Sequence, residues 1–115
     1  MPSFARGDVV WVQFPFSDDA GFKLRPAVVL ALWPYHNSTD YFLCMVSTQQ
    51  VDDPYLMPLN CSDFAQGSIS RQCYVRPCYT FTADEKFIQR RLGTLKPGPL
   101  QAIIDTLTRV LNAGQ

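Results

Sequence analysis

Arg25 and the adjacent pair Ser47 and Thr48 are the residues whose types and settings best suit chemistry in this sequence. Arg25 follows a polar stretch and precedes an apolar run, and Pro26 behind it restricts it to extended backbone. Ser47 and Thr48 stand at the end of a second apolar run. If the two runs are neighbouring strands, their ends bring a guanidinium and two hydroxyls together. A guanidinium is permanently charged and offers a planar donor fork that suits phosphate. Hydroxyls hydrogen-bond phosphate oxygens without adding charge. That is the outline of a phosphodiester site. A strand-end charge beside a polar strand cap is the plainer reading of the same residues, and spacing alone leaves both open.

The commoner catalytic sets do not form. His36 is the only histidine, within Trp33-Pro-Tyr-His-Asn37, and one imidazole supplies no acid/base pair by itself. The paired carboxylates, Asp18-Asp19 and Asp52-Asp53, stand in turn contexts that favour Asp for geometry. No glycine-rich phosphate loop and no His-Glu-x-x-His pattern is present. Of Cys44, Cys61, Cys73 and Cys78, the closest two have four residues between them, whereas structural zinc sites pair cysteines at shorter spacing. Cys44 lies in an apolar run, where a free thiol packs as a small hydrophobe. The expectation is no metal, no cofactor and no structural disulfide.

The elements that must position Arg25 and Thr48 are mostly strands. Residues 8–14 are rich in β-branched and aromatic types and follow a glycine. Residues 16–24 contain Ser, two Asp and Gly and read as a mobile loop. Residues 27–32 are a continuous apolar strand, 33–40 a turn-rich connection, and 41–47 a third strand. Residues 55–59 fit a short edge strand because Pro58 cannot donate to a ladder. Residues 72–76 and 87–91 are further strands, and the run from Thr82 to Glu85 resembles a capping box opening a helical turn. Beyond Pro99 at a first helical position, Leu100, Ile103, Ile104, Leu107 and Leu111 mark one face of a helix ending near Gly114. Asp105 and Arg109 are spaced to pair on its surface. The pattern predicts a mainly β chain with helices, a small bent barrel carrying a C-terminal amphipathic helix.

At 115 residues with 47% hydrophobic and 17% charged residues, the chain fits one domain over 1–115 with its own core. No apolar run approaches the roughly 20 residues that span a bilayer, and the N-terminus has no apolar signal core, so a soluble cytoplasmic protein is expected. Formal net charge is zero but unevenly spread: residues 1–65 hold three basic and seven acidic side chains. Residues 66–96 hold six basic ones (Arg71, Arg76, Lys86, Arg90, Arg91, Lys96) against two acidic. One face can be positive in a neutral molecule.

Several segments resemble the MazF/PemK toxin family in order and spacing. They are Gly7-Asp-Val-Val-Trp-Val12, Phe14-Pro-Phe-Ser-Asp18, Leu24-Arg-Pro-Ala-Val-Val-Leu30, Val46-Ser-Thr48, Tyr74-Val-Arg-Pro77 and Leu92-Gly-Thr-Leu-Lys-Pro97. The similarity spans roughly residues 6–112. It implies an SH3-like barrel, a homodimer, and a sequence-specific endoribonuclease that cuts single-stranded RNA, often messenger RNA, without metal. It also implies a cognate antitoxin whose disordered tail lies along the dimer groove. By the same resemblance Arg25 and Thr48 are the catalytic pair, while Ser17, Lys23, Ser47 and Arg76 contact RNA. The implied reaction is attack of a ribose 2′-hydroxyl on the adjacent phosphodiester.

The chain departs from many relatives, which are distinctly basic, in being neutral overall, and the expectation is an RNA affinity that is either modest or confined to one groove. The aromatic residues of 33–40 and Tyr74 have no counterpart that transfers a base preference. Two other classes share the barrel. CcdB-type toxins, which poison DNA gyrase without catalysis, end in Trp-Gly-Ile, whereas this chain ends in Leu111-Asn-Ala-Gly-Gln115. A non-catalytic SH3-like binding module has no need of both Arg25 and Thr48.

Overall fold

The computed structural model describes residues 2–14 and 23–114. Among these described residues, seven strands and one long helix follow in the order β1 (Asp8–Gln13), β2 (Leu24–Tyr35), β3 (Ser38–Ser47), β4 (Met57–Leu59), β5 (Phe64–Gly67), β6 (Cys73–Asp84), β7 (Ile88–Leu95) and α1 (Pro97–Asn112). Short 3₁₀ turns, Cys61–Asp63 and Glu85–Phe87, lead into β5 and β7. The strands form one antiparallel sheet in the order β4-β6-β3-β2-β1-β7-β5.

The edge strands β4 and β5 are not hydrogen-bonded to each other, yet both feed one core. Leu59 and Phe64 meet Val9, Val28, Cys44, Val46 and Val75 there, and Ile103 of α1 covers them. The sheet thus curls into an open barrel. A second core, built on Val10, Val12, Ala27, Val29, Tyr41 and Leu43, lies on the other side of the same strands. Central strands buried on both faces read as continuous apolar runs, which is why residues 27–32 show no alternation.

Prolines explain where the strands outrun their sequence signals. β2 pairs with β1 through Leu24–Val28 and with β3 only from Ala27 onward. Pro26 and Pro34 therefore both stand where β2 has a single neighbour, the setting in which a missing N–H costs least. The connection expected over 33–40 shrinks to His36 and Asn37, because Tyr35 already pairs with Ser38. His36 takes the left-handed conformation (φ 56°) that so tight a hairpin requires. In β6 the register jumps from Met45–Arg76 to Cys44–Thr80, so Pro77, Cys78 and Tyr79 bulge out and pairing then resumes to Asp84. Thr82 consequently lies inside β6 opposite Phe42, and the cap of the following turn is Asp84, which accepts from Lys86 N at 2.9 Å.

α1 begins two residues earlier than Pro99 predicts, with Lys96 as N-cap. Leu100, Ile103 and Leu107 pack on the barrel core. Leu111, placed on that face by periodicity, is 73% exposed because the helix runs past the barrel. Thr106 is buried instead, its hydroxyl donating to the Ala102 carbonyl at 2.9 Å. Asp105 accepts from Gln101 Nε2 at 2.9 Å rather than from Arg109. Asp8 ties the start of β1 to β7, accepting from Ala5 N at 2.8 Å and Thr94 Oγ1 at 3.0 Å. Among the described residues no helix is long and apolar enough to cross a membrane.

Candidate active-site groove

The ends of β2 and β3 open onto a groove of about 540 Å³, and both Arg25 and Thr48 line it. A volume of that order suits a small organic ligand or a short stretch of a larger one. Leu24 and Pro26 flank Arg25 in the wall, and Val46 leads to Thr48. Arg25 lies opposite Val12 of β1, and its guanidinium carbon stands 5.8 Å from the centroid of the Phe14 ring. An aromatic face beside the guanidinium restricts it without neutralising it.

The other residues singled out by sequence fall elsewhere. Ser47 is buried, and its hydroxyl accepts from Gln49 N at 3.0 Å, which spends it on the turn after β3. Lys23 is exposed outside the groove lining, and its carbonyl accepts from Phe14 N at 2.9 Å. Arg76 is likewise absent from the lining: it pairs with Asp53 at 3.5 Å and lies 3.9 Å from the Tyr79 ring centroid. Ser17 lies outside the described residues.

The tryptophan, arginine and serine side chains of the groove that sequence reasoning did not assign come from β1, β7 and the segment between β5 and β6. They are Trp11, Arg90, Ser68, Ser70 and Arg71. The cluster of six basic residues over 66–96 was the signal for two of them. The fold divides that cluster: Arg71 and Arg90 reach the groove, Arg91 pairs with buried Asp8 at 3.7 Å, and Arg76 is held by Asp53. No carboxylate or imidazole is among the described lining residues.

The thiols are poorly placed for nucleophilic work. Cys44 and Cys73 are buried free cysteines, Cys61 and Cys78 exposed ones. Burial pushes the Cys44 thiol up to about 12, with Cys78 nearby adding to the effect, and its Sγ donates to the Arg76 carbonyl at 3.3 Å. Burial also raises Cys73, which lines the groove, against the opposing pull of Arg71. Thiolate is the reactive form, so both are inert near neutral pH. Among the described residues no three His, Cys, Asp or Glu side chains converge as metal ligands. His36 sits at the β2–β3 hairpin tip, its ring 4.2 Å from that of Tyr35 and outside the groove lining.

Fold and groove together define a small curled antiparallel sheet whose cleft is rich in arginine and free of acids among its described lining residues. Residues 5–111 match the family described as PemK-like, MazF-like toxin of type II toxin-antitoxin system, and the chain belongs to that family. Among curated protein sequences none matches the chain. Solved structures share the fold at low identity. An endoribonuclease from a mycobacterial species is 17% identical, with a TM-score of 0.71 over 100% of this chain and 97% of that one. An endoribonuclease in complex with its cognate antitoxin, also mycobacterial, is 18% identical with a TM-score of 0.68, covering 100% and 99%. A MazE–MazF structure from Deinococcus radiodurans is 19% identical with a TM-score of 0.67, covering 92% and 94%.

Proposed function

We propose that this chain is the toxin of a type II toxin–antitoxin pair, a cytoplasmic endoribonuclease that cuts single-stranded RNA without metal or other cofactor. Family membership supplies the class, and the observation that carries the assignment is Arg25 and Thr48 on the walls of one groove. The ribose 2′-oxygen attacks the adjacent phosphorus while the bond from phosphorus to the 5′-oxygen breaks. A 2′,3′-cyclic phosphate remains on one fragment and a 5′-hydroxyl on the other. The proton leaving the 2′-hydroxyl and the one gained by the 5′-oxygen exchange with water. Charge grows on the non-bridging oxygens as the reaction proceeds. A guanidinium fixed at Arg25 stabilises that charge more in the transition state than in the ground state. Thr48 holds the scissile phosphate in line for attack. A guanidinium is permanently charged, so Arg25 acts by charge rather than as a base.

The mycobacterial endoribonuclease in complex with its cognate antitoxin and the MazE–MazF structure from Deinococcus radiodurans support a cognate antitoxin here, with an acidic or apolar tail that folds on binding a homodimeric toxin. The catalytic assignment is tested with an oligoribonucleotide containing a mapped cleavage site and one 2′-deoxy substitution just 5′ of the scissile phosphate. The all-ribose strand is cut and yields a cyclic phosphate by mass; the substituted strand binds comparably and stays whole. Cleavage of the deoxy strand makes water or a side chain the nucleophile and removes the mechanism. Failure to cut either strand, together with inhibition of gyrase, moves the chain to the non-catalytic class.

A further inference from the structure

We propose that Trp11, Arg71 and Arg90 form a second nucleotide subsite in the groove, in which the indole stacks a base and the two guanidiniums hold backbone phosphates. The inference rests on reading the groove as the path of a single-stranded nucleic acid. Trp11 stands in register between Arg90 of β7 and Pro26 of β2, so the three form one row across three strands. All three line the groove, and Trp11 is only half-buried there. Arg71 reaches the same groove from the segment between β5 and β6. An aromatic face beside cationic side chains is the arrangement that takes single strands of any sequence, because every base has a π-face and every linkage a charge.

The alternative for Arg71 and Arg90 is a structural role, and the interactions argue against it. The ion pairs among the described residues use Arg76 and Arg91, not these two, and neither Arg71 nor Arg90 hydrogen-bonds a described residue through its side chain. With Arg25 they place three guanidiniums on a cleft that has no acidic described lining residue, in a chain of zero formal net charge. Uncompensated charge of one sign along a cleft concentrates the field where an anionic strand would lie. A Trp beside guanidiniums favours nucleic acid over an acidic peptide, which needs the charges but not a stacking platform.

The test uses the full chain carrying Trp33→Phe, which leaves Trp11 as the only indole. The probe is a short mixed-sequence single-stranded DNA, which lacks the 2′-hydroxyl and so survives the proposed reaction. Indole fluorescence should be quenched on titration. Arg71→Ala and Arg90→Ala should each flatten the plot of log affinity against log salt by about 0.7, the contribution of one phosphate on a single strand. Arg71→Lys and Arg90→Lys, which keep the charge, should restore the slope. Trp11→Phe, which has no indole left and is followed by the anisotropy of a dye-labelled strand, should bind more weakly at an unchanged slope, because it alters stacking and not charge. With RNA, the alanine variants should raise KM and leave kcat near wild type, as expected when ground and transition states lose the same contact. Wild-type slopes in both alanine variants would overturn the subsite even if RNA is still cut. Quenching by a polyglutamate peptide but not by DNA would overturn it in favour of a protein ligand. DNA binding with the predicted slopes but no RNA cleavage would leave the subsite standing and remove the endoribonuclease reading.

Discussion

Gly67 of β5 lies directly opposite Gly93 of β7, and neither has room for a Cβ. At Gly93 a Cβ would stand 2.6 Å from the Gln66 carbonyl oxygen and 2.7 Å from Phe64 Cδ2. At Gly67 it would collide with the Leu92 carbonyl, and the φ of +70° is itself unfavourable for a side chain. This close approach anchors the strand from which the Ser68–Arg71 wall of the groove departs.

Gly93→Ala is therefore expected to destabilise the fold by about 1–3 kcal/mol, the usual cost of overpacking a site walled by backbone. Gly98→Ala, in the first turn of α1 with nothing within 4 Å of the added methyl, should be neutral or slightly stabilising. Urea denaturation of both variants measures the contrast. Equal stabilities would show that the β5–β7 contact yields freely.

Arg25→Ala should lower kcat by roughly 10²–10³ with the melting temperature unchanged, since loss of one transition-state donor costs that much. Arg25→Lys should also be poor, because an ammonium does not reproduce the fork. Thr48→Val keeps the shape and removes one hydrogen bond to an anion, for a loss of about ten- to hundredfold. End-mapping on a long RNA reads all three, and wild-type cleavage by folded Arg25→Ala would refute the assignment.

Cleavage should persist in excess EDTA, and light scattering at micromolar concentration should give a dimer. An activity lost with chelator and restored by zinc or magnesium would mean that a carboxylate or cysteine has a role not assigned to it here. A monomer at that concentration would remove the proposed homodimer.

Tyr41 Oη donates to Glu85 Oε1 at 2.6 Å, and Ser3 N donates to the same oxygen at 2.9 Å. Burial, reinforced by Glu85, pushes Tyr41 from 10.0 up to about 12. The Tyr41 hydroxyl chiefly, with Ser3 N, holds Glu85 below its ordinary 4.5. A lowered carboxylate stabilises the fold above its unfolded value and loses that contribution as pH falls through the folded one. A raised phenol contributes fully below 10.0 and loses it as pH climbs toward 12. Tyr41→Phe should therefore lower the stability plateau between these limits by about 1 kcal/mol and make both the acid and alkaline limbs shallower. Denaturant midpoints across pH test this, and unchanged limbs would exclude the pair as a titrating element.

What the sequence determined by itself is whatever short-range pattern encodes. The β-branched run of β1, the unbroken apolar runs of β2 and β3, and the spacing of Leu100, Ile103 and Leu107 each announce an element from within a dozen residues. The order of family motifs likewise marked Arg25 and Thr48, because Arg-Pro before a buried strand and Ser-Thr after one are local features. Tertiary structure decided the rest. Strands that continue through Pro34 and past Pro77 could not be read locally, since whether a proline is tolerated depends on how many neighbours the strand has there. β5 is four residues long and owes its place to the Gly67–Gly93 approach across the chain. The basic cluster showed the same charge at every position, and only pairing separated Arg71 and Arg90, which reach the groove, from Arg76 and Arg91, which are held by Asp53 and Asp8. Trp11 looked like one more β-former until register set it between Arg90 and Pro26. Side-chain direction on a strand alternates every residue, so a bulge or a shift of one position changes which face a residue serves, and no local pattern records it.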